Sequence, residues 1–139
     1  MSHAGLAGRL APVWAGAILA FAVVPTHEAL QRAVGERETL ATQAGHFAAF
    51  AVLAFLVLAW VAGEAWAGGD GRPKRGAVVL AFAAATAYGG LIEVLQAPLP
   101  YRSAQWSDLA TDGAGAAVGV LAFRYGRVCV APQDRTRVR

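Results

Sequence analysis

The stretch Phe47–Trp60, FAAFAVLAFLVLAW, decides the fold. It carries no charge and no alternation of apolar with polar side chains. A strand of a membrane β-barrel alternates, because successive residues face lipid and lumen in turn. An unbroken apolar run specifies a helix instead, the element that satisfies its own backbone hydrogen bonds in hydrocarbon. The run lies within a longer segment, Ala44–Gly63, whose one polar residue is His46. Its length matches the roughly 20 residues that cross about 30 Å of hydrocarbon.

Three more apolar segments flank it. The first, Leu6–Val24, has Arg9 near its start and Pro12 one turn later, where a first helical turn tolerates proline. Another, Gly76–Ala97, holds Glu93 and Gln96 near its end. The last, Trp106–Tyr125, is purely apolar only over Gly113–Phe123 and carries Asp108 and Asp112 in its first turns. A re-entrant or shallow helix is its alternative reading. Trp106 and Tyr125 at its two ends resemble interfacial anchors and favour a full span. The prediction is an all-α membrane protein, a four transmembrane helix bundle with spans 6–24, 44–63, 76–97 and 106–125. Residues 1–5 form a short tail, 6–126 the membrane domain, and 127–139 a basic tail attracted to anionic lipid.

Composition agrees. Of 139 residues, 57% are hydrophobic and 15% charged, against about 25% charged in soluble domains. The 16 glycines suit close helix packing. The net charge of +3 comes from basic residues beside apolar spans, which points to membrane flanks and not to nucleic acid. The lone Cys129 excludes an internal disulfide. Arg9 followed by an apolar run and Ala20-Phe21-Ala22 also fits a signal peptide. Val23, Val24 and Pro25 beyond it, and the small-residue pair Gly16 and Ala20, read as a retained span.

Basic residues orient the bundle. Arg9, Arg72, Lys74, Arg75, Arg124, Arg127, Arg135, Arg137 and Arg139 fall on one side; Arg32, Arg37 and Arg102 fall on the other. The positive-inside rule then predicts both termini of a multi-pass membrane protein in the cytoplasm. Linkers Thr26–Gln43 and Pro98–Ser107 lie outside. The former, with Leu30 four before Val34 and Glu28 four before Arg32, reads as a short amphipathic surface helix or a solvated loop.

This orientation gathers the polar residues. His46, Glu93, Gln96, Asp108 and Asp112 all come to the outer ends of spans, and Arg102 to the linker between the last two. Glu93 and Gln96 share a helix face. Asp108, Asp112, Gly115 and Gly119 form one stripe, which makes the acid-bearing face also the close-packing one. His46, Phe50 and Leu53 align on the second span, and Gly89 and Gly90 let a neighbour approach one turn before Glu93. Charged groups in a bilayer normally face the bundle or a wet cavity and find partners. Arg102 is the expected bidentate partner of Glu93 or Asp108. Ser107 or Asp108 suits the N-cap of the last span.

GHFAAF, EVLQAPLPYR and SDLATDGAGAAVG, in that order, resemble the three signature blocks of the VanZ-like family, small bacterial membrane proteins named for a member associated with low-level teicoplanin resistance. The resemblance covers about Thr42–Phe123 and rests on His46, Phe47, Phe50, Glu93, Gln96, Pro100, Arg102, Asp108, Gly115 and Gly119. Thr42-Gln43 stands where the family has Asp-Lys, and Asp112 where it has Asn.

Three functions follow as expectations. The first is a binding protein of the cell envelope whose outward pocket of His46, Glu93, Gln96, Arg102, Asp108 and Asp112 takes an envelope lipid, a cell-wall precursor or, as the resemblance implies, a glycopeptide antibiotic. The second is a small intramembrane transferase or hydrolase acting on an envelope lipid, with His46, Glu93 or Asp108 as catalytic candidates and Arg102 stabilising developing negative charge. The third is half of a homodimeric carrier. Against all three stands a purely structural role, in which Glu93, Arg102 and Asp108 staple two spans together. No cofactor or metal is expected, although oxygen ligands with one His would suit Mg or Mn better than Zn.

Overall fold

The computed structural model describes residues 3–23, 37–64, 73–99 and 106–130. All regular elements among them are helices: α1 (His3–Val23), α2 (Arg37–Glu64), α3 (Arg75–Gln96) and α4 (Trp106–Val130). Three segments, His3–Val23, Gln43–Gly63 and Arg75–Gln96, are long and apolar enough to cross a membrane. The linker read as a short amphipathic helix or a solvated loop lies mostly outside the described residues, and Arg102 lies outside them.

Hydropathy locates the membrane-matching part of a helix and not its backbone ends. Accordingly α2 begins at Arg37, ahead of the predicted Ala44, and α4 continues to Val130, past Tyr125. Likewise α1 starts at His3, so Pro12 sits in the helix interior and not in a first turn. Proline has no amide, which removes the bond that would otherwise reach the Gly8 carbonyl. The end of α3 is sharper. The Ala97 amide donates to the Glu93 carbonyl at 3.0 Å, and Pro98 cannot extend the ladder.

Helix directions alternate, and α2 is the hub, packing against each of the other three; among the described residues α1 and α4 do not meet. The α2–α4 seam is the most extensive and joins two parallel helices. His46 faces Asp112, Phe47 faces Gly115, Ala51 faces Gly119 and Phe55 faces Phe123, four pairs in register down the bundle. A Cβ at Gly115 or Gly119 would run into the carbonyl oxygens of Phe47 and Ala51. On α3 the stripe Ala77, Ala81, Ala85 and Gly89 is buried at every fourth position and continues into Ile92, Glu93 and Gln96. Large apolar side chains instead face outward, among them Phe21, Val79 and Val94 at 65%, 64% and 68% exposure. Small residues inside and large ones outside is the pattern of helices packed in lipid, where tails solvate the bulky side chains.

Candidate functional site

Alternating helices bring the end of α1, the start of α2, the end of α3 and the start of α4 to one end of the bundle. The polar residues collect there. Asp112 lies on the glycine stripe of α4, so the close approach to α2 and α3 buries it; only 1% of it is exposed. Its carboxylate occupies the notch that Gly89 leaves on α3, where a Cβ would stand 2.6 Å from Oδ2. His46 projects from the same face of α2 as Phe50, and its Nδ1 lies 3.0 Å from Asp112 Oδ1. An ionised carboxylate only accepts, so against ionised Asp112 it is Nδ1–H that donates. That leaves Nε2 as the basic nitrogen of a neutral imidazole. The ring stacks on Phe50 at 6.5 Å, and Phe50 lies 6.4 Å from the Tyr88 ring. Part of the His46 side chain, 23%, reaches the surface.

Glu93 and Gln96 are buried in the last turn of α3. Gln96 Nε2 donates to the Ala22 carbonyl at 2.9 Å. Ala22 is in the last turn of α1, where carbonyls have no intrahelical partner, so the side chain caps one helix from another. Glu93 and Asp108 lie at the same end of the bundle as His46 and Asp112. Asp108 is half-buried in the first turn of α4, near the positive end of the helix dipole, and accepts from Ser107 Oγ at 3.3 Å. Since α4 starts at Trp106, Ser107 and Asp108 lie inside its first turn and not at the N-cap.

Five of the six predicted residues are thus placed, all at one end; Arg102 falls outside the described residues, so its pairing with Glu93 or Asp108 does too. The unforeseen link is His46 with Asp112. Asp112 read from sequence as an extra charge in place of an Asn, and nothing in its spacing named a partner on α2. Two further ties also went unread. Tyr88 Oη donates to the Ala15 carbonyl at 2.7 Å, and Trp14 Nε1 to the Ala49 carbonyl at 3.0 Å. Both hold α1 to the bundle through backbone oxygens, acceptors that leave no mark in a sequence. Among the described residues no three of His, Cys, Asp and Glu converge on a point where a metal would sit.

Chemically, the end of the bundle offers a carboxylate-oriented imidazole with surface access, and two further carboxylates, Glu93 and Asp108, lie at the same end. Such a group can accept a proton from a hydroxyl or ammonium, or hold either by hydrogen bonds. A family model described as VanZ/LLP1 matches residues 15–129 of the chain. No curated protein and no solved structure matches it.

Proposed function

The chain belongs to the VanZ/LLP1 family, and on that premise we propose that it is a multi-pass protein of the bacterial inner membrane whose polar end faces outward and binds an envelope ligand. All four helices cross in this reading, with both termini in the cytoplasm. The ligand is an envelope lipid, a cell-wall precursor or a lipophilic glycopeptide such as teicoplanin, which would tie the protein to antibiotic resistance. The observation that carries the proposal is Asp112. A carboxylate costs about 2.5–3.5 kcal/mol at mid-bilayer and less toward the end of a span, where Asp112 lies, and a staple between two helices needs no further carboxylates such as Glu93 and Asp108 at the same end. Asp112 orients His46, His46 presents its accessible edge to the ligand, and Glu93 and Asp108 supply further acceptors for amine or hydroxyl groups. Arg102 would hold an anionic group.

The test is thermal unfolding of the purified protein in detergent, with and without each ligand class. The expected result is a raised midpoint with one class for the parent and little or none for Asp112→Asn. No shift with any class, or equal shifts in both proteins, sinks the proposal.

The His46–Asp112 geometry also favours the second reading, an intramembrane transferase or hydrolase with His46 as general base. Turnover of an envelope lipid abolished in His46→Gln, with ligand binding kept, would separate catalysis from binding.

A further inference from the structure

The bundle's charges divide by end. Glu93, Asp108 and Asp112 lie with His46 at one end. Toward the other end the charged groups among the described side chains are all cations: Arg9, Lys74, Arg75 and Arg124, each of them exposed. The sequence adds Glu64 and Asp70 there against Arg72 and Arg127, so that end stays positive.

Three of these cations come to one height. α3 and α4 pack against each other and run antiparallel, with Asp112 beside Gly89 and Gly113 beside Thr86. From Gly113, eleven residues along α4 lead to Arg124; from Thr86, eleven residues back along α3 lead to Arg75. Arg124 is therefore level with Arg75, and Lys74 adjoins it as the N-cap residue of α3. Arg9 stands apart, on a helix that does not meet α4 among the described residues.

That height matches a membrane surface. The candidate span in α3 begins at Arg75. Tyr125, next to Arg124, is 69% exposed, as aromatic anchors at the headgroup level are. Like charges gathered where two helices meet repel one another, and an anion between them turns that repulsion into attraction. At this height the anions at hand are lipid phosphates. An arginine takes a phosphate through two parallel hydrogen bonds and a lysine takes it as a point charge.

We propose that Lys74, Arg75 and Arg124 form a binding site for the headgroup of an anionic phospholipid, at the end of the bundle opposite His46. The phosphate lies between the start of α3 and the last turns of α4, and the acyl chains run over exposed apolar side chains such as Val79 and Leu121. The lipid thereby ties α4, which is not among the segments apolar enough to cross by composition, to α3, which is. This site does not depend on the ligand-binding reading above.

The test is native mass spectrometry of the full chain in neutral detergent, titrated with phosphatidylglycerol or phosphatidylcholine. Phosphatidylglycerol should bind several-fold more tightly. Arg75→Gln and Arg124→Gln, both at exposed positions, should each weaken it about five-fold, the effect of one basic residue near an anionic membrane surface. Arg9→Gln removes the same charge elsewhere and should leave the affinity unchanged, as should Asp112→Asn at the far end. Equal affinity for the two lipids overturns the site. So does a loss in Arg9→Gln as large as that in Arg124→Gln, which would mean a diffuse positive field. A loss in Asp112→Asn alone would move the lipid to the polar end. Inorganic phosphate bound as tightly as phosphatidylglycerol would strike the lipid from the assignment.

Discussion

At the scale of single residues, the bundle's polar end turns on one hydrogen bond. Interhelical hydrogen bonds in membranes contribute about 0.6 kcal/mol on average and up to about 1.7, and charged acceptors lie at the strong end. A double-mutant cycle with His46→Ala and Asp112→Asn, read by unfolding in detergent, should therefore give a coupling of about 1 kcal/mol or more. Additive single effects would mean that the 3.0 Å contact does not hold in solution. Gly89→Ala tests the seat of the same carboxylate. Its Cβ would meet Oδ2, and overpacking of this kind costs about 1–3 kcal/mol; a variant as stable as the parent would show that Asp112 has room to move. Thr86 runs the other way. Its hydroxyl is buried with no hydrogen-bond partner among the described residues, so Thr86→Val should leave stability unchanged or raise it by up to about 1 kcal/mol. A clear loss of stability would reveal a partner for that oxygen.

At the scale of helices, the α2–α4 seam depends on glycine. The G-x-x-x-G of Gly115 and Gly119 marks close approach in the sequence, but only the fold shows what approaches: backbone carbonyls of α2, which cannot swing aside as a side chain can. Gly119→Ala should weaken the bundle by about 1–3 kcal/mol. Gly16 on α1 has the same spacing logic with Ala20, yet nothing lies within 4 Å of a Cβ placed there. Gly16→Ala should change stability by no more than about 0.5 kcal/mol. Equal losses at the two glycines, measured by the same unfolding assay, would place a neighbour on α1 as well.

For the molecule as a whole, topology is decided by α4. It is not among the three segments apolar enough to cross by composition alone. Its four glycines and its charged residues lower its hydropathy. Three of those glycines and residues are turned against α2, however: Asp112, Gly115 and Gly119 are all buried. Since α4 runs parallel to α2 and in register with it, a crossing by α2 implies one by α4. Four crossings put the two termini on the same side, whereas three put them on opposite sides. Reporter fusions at Met1 and Arg139 should both report the cytoplasm; opposite readings would make α4 a shallow helix.

Much of this was determined by sequence alone, for a physical reason. Lipid acts on every residue of a span at once, so Phe47–Trp60 must be helical wherever its neighbours lie. Because spans alternate in direction, the polar residues at their ends fall at one face without any knowledge of packing. Glycine spacing marked which side of α4 would be inward. Pairing is another matter. Asp112 meets His46, and Tyr88 meets the Ala15 carbonyl, because α2 became the hub and α1 settled beside α3. Side-chain partners across helices follow from which ridges interlock and at what depth, and only the assembled tertiary structure sets both.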